Sequence, residues 1–275
     1  MIGRAVRDQL LAGGAEVDVW DLSADPPIDV ASPPRVTHRY DVVFHLAANT
    51  ENRAIYLAGA LESLAALAGV LDAVRHRPPG AIVFTSSQLV YGSGENMPET
   101  AATAPASGFA AGKLAGEILL AAFGREVGVQ TVACRLCNVI GPTVRRGIVR
   151  DLVDRVSQSS GPELTVLGDG SQRRSYLLAE DCATAIVLLG RNPAWSTVNV
   201  ANLNASTALE VAEAVIRATG RDLRPAPSTG PTGWATDPGT LTMNVERLRS
   251  LGWAPSVTSA EAVAHSAAGL WTNRQ

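Results

Sequence analysis

Two apolar runs without polar alternation, residues 42–48 (VVFHLAA) and 81–85 (AIVFT), flank an Ala/Leu-rich helical stretch from about Arg53 to Arg75, which Pro78, Pro79 and Gly80 bring to an end. Runs of this length are strands buried on both faces. Their alternation with helices places them parallel in one sheet covered above and below. A further helix and a third run, 129–142 (VQTVACRLCNVIGP), continue the pattern. Upstream, residues 3–13 read as an amphipathic helix with Ile2, Val6, Leu10 and Leu11 at helical spacing, ended by Gly13 and Gly14. Residues 15–21 (AEVDVWD) then alternate as a strand closing on Asp21. The expected class is α/β, a doubly wound parallel sheet over residues 1–142, with residues 143–275 forming mainly a smaller substrate-binding part and lid.

A helix followed by a strand ending on an acid, with Gly3 standing 18 positions before Asp21, fits the later part of a dinucleotide-binding βαβ unit. Gly3 would be the last glycine of its phosphate-binding turn, and the first strand is missing. That strand is central in such a sheet, and each backbone group left orphaned in its place costs roughly 1–3 kcal/mol. The expectation is a true start about ten to fifteen residues upstream, or weak dinucleotide binding. Asp21 would accept from the ribose hydroxyls and so favour NAD over NADP, although Arg35 and Arg39 could still reach a 2′-phosphate.

Lys113 is the only lysine among 23 basic residues. A compact ammonium fits a nucleotide pocket that a guanidinium fork cannot. It stands in 109–117 (FAAGKLAGE), after 84–92 (FTSSQLVYG), and the two segments together resemble the extended short-chain dehydrogenase/reductases, the NAD-dependent epimerase/dehydratase family. The Arg135-x-x-Asn138-Val139-x-Gly141-Pro142 pattern, Asn199 and 251–255 (LGWAP) extend that resemblance over nearly the whole chain. It implies a Rossmann-like fold that uses NADPH or NADH. Ser87 and Lys113 match catalytic positions, whereas Phe109 stands where the family carries its Tyr and Ser63 roughly where it carries an Asn. Gly3, Asp21, Leu46, Ala47, Ala48, Ser86, Lys113 and Asn138 are implied at the cofactor, and Ser87, Gln88, Leu89, Phe109, Asn138, Arg174 and Trp234 at the substrate. The resemblance to nucleotide-sugar members implies that Asn138 and Arg174 contact a nucleotide diphosphate, but they could equally brace the turn or pair with Asp169, and His45 reads as a satisfied core histidine rather than a base. The Pro- and Gly-rich stretch 225–239, with Trp234 inside it, reads as a lid or binding loop.

Phe109 has no proton to give, and general acid–base help is worth roughly 10²–10⁴ in rate. Reduction tolerates the loss better than alcohol oxidation, because a ketone hydrogen-bonded by its own neighbouring hydroxyl arrives polarised. The expected activity is therefore reduction of such a ketone; an extended reductase that lacks its Tyr resembles the angucyclinone ketoreductases, which implies an angucyclinone-like aromatic polyketide ketone in antibiotic biosynthesis as the substrate. A nucleotide-sugar epimerase or reductase with its acid moved to Tyr91 or Tyr176, and a non-catalytic scaffold, are the alternatives. A net charge of −3 with scattered arginines gives no footprint for nucleic acid. No signal-peptide core and no uninterrupted membrane-length apolar run are present, so a cytoplasmic protein with a small-molecule substrate is expected, and relatives of this kind suggest a homodimer. Cys134 and Cys137 have metal-like spacing but would face opposite ways on a strand, so no metal is expected.

Overall fold

The computed structural model describes residues 1–49, 57–229 and 237–274. Helix α1 (Ile2–Ala12) leads to strand β1 (Val42–His45), helix α2 (Leu57–Val74), strand β2 (Ala81–Ser87) and a 3-10 turn over Gln88–Tyr91. Strand β3 (Gly94–Met97), helix α3 (Gly108–Val127), β4 (Gln130–Leu136) and β5 (Asn138–Ile140) follow. The second half holds α4 (Ile148–Gln158), β6 (Glu163–Val166), β7 (Arg173–Arg174), β8 (Tyr176–Leu178) and α5 (Ala179–Arg191). It closes with β9 (Thr197–Val200), β10 (Ser206–Thr207), α6 (Ala208–Thr219), β11 (Arg224–Pro227), β12 (Leu241–Met243), α7 (Glu246–Arg249) and α8 (Ser259–Thr272).

The main sheet runs β1-β2-β4-β9, and every pairing in it is parallel. All seven residues of β2 are buried, the signature of a strand covered on both faces. Its side chains alternate accordingly. Ile82 and Phe84 pack with Leu67 and Leu71 of α2 and Leu120 of α3, while Val83 packs with Val6 of α1 and Ile186 of α5. This is a Rossmann-like, doubly wound arrangement. By length and composition α2 could cross a membrane, but here its buried face closes the sheet.

Two expectations are corrected. Residues 15–21 form no strand, and most of them are exposed. Among the described residues no strand pairs the outer edge of β1, so this segment lies across an opening from β1 with no ladder to join, and both line the same cleft. Cys134 and Cys137 do not face apart either. The strand ends at Leu136, its alternation stops there, and both thiols fall in one core cluster. There burial pushes them above the ordinary thiol range.

A second core lies among α4, α6 and α8, with Val153, Val211, Val215, Ala262 and Val263 at its centre. Capping boxes at Thr207/Glu210 and Thr258/Glu261 fix the starts of α6 and α8. A small sheet, β10-β7-β12-β3, joins this half to the loop after β2.

Candidate active site

Lys113 is placed by two glycines. A Cβ on Gly112 would stand 2.9 Å from Ala60 Cβ, and one on Gly116 would stand 2.7 Å from Phe84 Cζ, so α3 lies against both α2 and β2 only because these positions are bare. Ser107 caps the helix by accepting from the Ala110 N–H at 3.2 Å. The Lys113 side chain, 6% exposed, reaches beneath the end of β2, where its Nζ donates to the Thr85 carbonyl at 2.5 Å. The ammonium stands 4.8 Å from the Phe84 ring centroid and 6.0 Å from that of Phe109. Burial lowers its pKa to about 8, against the opposing charge of Glu117 one turn on.

Ser87 ends β2 and caps the 3-10 turn, its Oγ accepting from the Leu89 N–H at 3.2 Å. Ser86 points the other way and donates to Glu117 Oε1 at 2.5 Å, beside the ion pair of Glu117 with Arg135. Gln88 donates to Asn138 Oδ1 at 3.4 Å. Leu46 follows β1, and a Cβ on Gly3 would lie 3.8 Å from its Cδ1, so the start of α1 meets the end of β1. Asp21 is exposed in a turn of its own, accepting from Ser23 Oγ at 2.6 Å and Ser23 N at 2.7 Å, which hold its carboxyl below the usual range. One cleft of about 2330 Å³ connects these groups, lined by Gly3, Asp21, the 46–48 segment, Ser86, Ser87, Gln88, Leu89, Phe109, Lys113, Asn138 and Arg174. Trp234 lies outside the described residues.

His45 is buried as expected, its ring stacked 5.9 Å from Phe84, but it is not satisfied: its Nε2 has no hydrogen-bond partner among the described residues. Burial first, and then the Lys113 charge, lower its pKa to about 4, so it is neutral near pH 7. Gln88 Oε1 is a second buried orphan lining the cleft. Buried polar atoms seldom go unpaired in a protein. Two of them around Lys113 and Ser87 suit a polar ligand such as the ribose and carboxamide end of a nicotinamide cofactor.

Tyr91 does not reach the cleft. Its hydroxyl donates to Asn199 Oδ1 at 2.7 Å, its ring packs 4.7 Å from the Arg135 guanidinium, and burial raises its pKa. Tyr176 lines the cleft, with its phenol raised by burial. Sequence reasoning missed Asp237, which pairs with Arg174 at 2.6 Å. The available signal was that Asp237 is the sole acid within the 225–239 stretch.

Residues 1–201 match the family model for the NAD dependent epimerase/dehydratase family. The chain is similar to the uncharacterized UDP-glucose epimerase YtcB of Bacillus subtilis (strain 168), with 29% identity over 66% of this chain and 59% of that protein. It thus spans little more than half of that relative. It is 28% identical to a UDP-glucose 4-epimerase of Azospirillum brasilense, covering 84% of this chain and 72% of that protein. Among solved structures, the UDP-glucose 4-epimerase of Thermus thermophilus in complex with NAD superposes with a TM-score of 0.83 at 25% identity, over 98% of this chain and 96% of that one.

Proposed function

The chain belongs to the NAD dependent epimerase/dehydratase family, and within it we propose a ketoreductase that uses NADH or NADPH to reduce a flat aromatic ketone of angucyclinone-like polyketide type. Phe109 carries the reading. A phenyl ring, 6.0 Å from the Lys113 amine, occupies the place where a proton-transferring side chain would work. Oxidising a sugar alcohol requires a base for its hydroxyl proton. Reducing a ketone polarised by its own neighbouring hydroxyl does not.

Lys113 and the 46–48 segment would hold the nicotinamide ribose, and the start of α1 and Asp21 the adenosine end. The exposed Asp21 carboxylate favours NADH, since a 2′-phosphate would meet a like charge. The reduced cofactor, when bound, supplies the hydride that adds to the carbonyl carbon. Ser87, whose Oγ accepts from Leu89, keeps its own proton to donate a hydrogen bond to the carbonyl oxygen. That oxygen takes its proton from the adjacent substrate hydroxyl, which water reprotonates. Phe109 and Leu89 offer a flat ring an apolar wall, and holding the reactants in line is worth roughly 7–11 kcal/mol.

The names of the relatives favour a second reading, a nucleotide-sugar epimerase whose relocated acid is Tyr176, beside Arg174. Its phenol is raised by burial, which makes it a poor base near pH 7. A homodimer is proposed from Leu57 and Leu61 on α2 and Ile118 on α3, each more than 60% exposed. Calorimetric titration of NADH and NADPH, followed by cofactor oxidation with peri-hydroxy aromatic ketones or UDP-glucose, separates the readings. Turnover only with the ketone, kept within about threefold by Phe109→Leu and reduced about 10²-fold by Ser87→Ala, is expected. Turnover of UDP-glucose that vanishes in Tyr176→Phe would overturn it.

A further inference from the structure

Residues 15–21 carry Asp21 to the cofactor end of the cleft with no strand ladder to hold them. Apart from the turn that follows Asp21, two polar attachments bind them to other parts of the fold among the described residues. The Ala15 N–H donates to the Leu10 carbonyl at 3.0 Å, at the end of α1. Further along, Asp18 Oδ2 accepts from the Tyr40 hydroxyl at 2.6 Å and lies 3.5 Å from His38 Nε2. The His38 and Tyr40 rings meet edge to face at 4.5 Å. Asp18, His38 and Tyr40 all line the same cleft as Asp21.

Tyr40 is a fixed post in front of β1. Its carbonyl accepts from the Gly80 N–H at 3.2 Å, and the Asp41 carbonyl accepts from the Ala81 N–H at 3.1 Å, so the chain here is fastened to the start of β2. Arg39 adds a third fastening through its Nε, which donates to the Pro78 carbonyl at 3.0 Å. The phenol keeps its proton for Asp18, because burial first and then the Asp18 carboxylate push its pKa up to about 12. Asp18 stands three residues before Asp21, at most about 11 Å along the chain. The Tyr40 hydroxyl thus ties the main sheet to the wall that carries Asp21.

We infer that Tyr40 is a positioning residue for the cofactor, which acts through Asp18 to fix the 15–21 wall against the main sheet so that Asp21 meets the adenosine ribose. The assignment rests on the reading of this cleft as a dinucleotide site. Lys113 and Ser87, at the nicotinamide end, are placed by α3 and β2 and do not depend on that wall. Loss of the tether should therefore weaken the adenosine half alone. AMP, reduced nicotinamide mononucleotide and NADH are titrated calorimetrically into the full chain, Tyr40→Phe, Asp18→Ala and the double variant. Tyr40→Phe removes one hydroxyl and keeps both the ring and the Asp18 charge. Removing that charge on its own would favour an anionic ligand, so weaker AMP binding in Asp18→Ala reports the tether.

AMP and NADH should each weaken about threefold to tenfold in either variant, the scale of one exposed hydrogen bond, and reduced nicotinamide mononucleotide should stay within about twofold. The double variant should bind no more weakly than Asp18→Ala, because both changes break the same bond. Chymotryptic cleavage after Trp20 should accelerate by a similar factor at an unchanged thermal midpoint. Unchanged AMP affinity in Tyr40→Phe overturns the assignment, as does an equal loss of the mononucleotide, which would mean general loosening. A chain that binds neither AMP nor NADH in any form sinks the dinucleotide reading. Faster cleavage after Trp20 in Tyr40→Phe would then leave the tether standing, and unchanged cleavage would remove it as well.

Discussion

The Lys113 Nζ and the Thr85 carbonyl oxygen meet at 2.5 Å beneath the end of β2 in the main sheet, and among the described residues this is the one hydrogen bond made by the only lysine of the chain. The ammonium is held there at a cost. A pKa lowered from 10.5 to about 8 corresponds to roughly 3 kcal/mol of stability lost at neutral pH. The sign follows from proton uptake. Between pH 8 and 10.5 the unfolded chain holds the proton that the folded chain has released, so stability should rise with pH across that window. Lys113→Met, which keeps the stem and removes the charge, should raise stability by about 1–2 kcal/mol near pH 7 after losing the Thr85 bond, flatten that alkaline rise and abolish NADH binding. Urea unfolding at several pH values, with parallel calorimetry, reads all three effects.

His45 should shape the acid side. Its folded pKa of about 4 lies below the ordinary 6.5, so the unfolded chain binds more protons between those values. Stability from this group is complete above about pH 6.5 and is lost as the pH falls through 4, by roughly 3 kcal/mol. His45→Phe, which also removes the orphaned Nε2, should shrink the loss by that amount. Equal acid sensitivity in both proteins would show that other groups dominate.

How far the sequence carried depends on what kind of contact each element makes. The apolar run at 81–85 was legible because a strand buried on both faces must be apolar throughout, whereas the run at 42–48 yields a strand only over Val42–His45, of which His45 alone is fully buried because β1 ends the sheet among the described residues. The four-residue spacing of Phe109 and Lys113 was legible because one helical turn puts them on one face, and both line the cleft. Residues 15–21 were misread because alternation records which side chains could be buried, whereas a strand also needs a neighbour to pair with, and β1 lies across an opening from them. Tyr91 and Asp237 were beyond local pattern altogether. Tyr91 bonds Asn199 and Asp237 bonds Arg174, contacts spanning 108 and 63 positions, and no period within one element reports them.

Glu117 and Arg135 form a bidentate pair, with Arg135 Nε to Glu117 Oε1 at 3.0 Å and Nη2 to Oε2 at 2.7 Å, and Ser86 donating to the same carboxylate. Both side chains are at most 8% exposed. Removing one partner strands the other without water, so Glu117→Gln and Arg135→Met should each cost about 3–5 kcal/mol. The double variant should cost well under their sum, with a coupling of at least about 2 kcal/mol. Glu117→Gln should also lower the Lys113 pKa further, because the Glu117 charge is what opposes its desolvation. Additive losses in a denaturation cycle would mean that the pair does not act as a unit.

Phe109→Tyr tests the absent phenol directly. The Lys113 ammonium lies 6.0 Å from the ring centroid at this position and the residue lines the cleft, so a hydroxyl added to the ring enters the cleft near a cation that lowers its pKa. A positioned acid–base group contributes roughly 10²–10⁴ in rate where proton transfer limits the reaction. In the proposed reduction the substrate supplies its own polarisation, so the gain with a peri-hydroxy ketone should be small, below about tenfold. A simple ketone without the neighbouring hydroxyl should gain about 10² or more, and oxidation of the product alcohol should become measurable. The ratio of the two gains carries the argument. If both ketones gain equally, the neighbouring hydroxyl is not the internal acid, and if neither gains, Phe109 does not occupy the place of proton transfer.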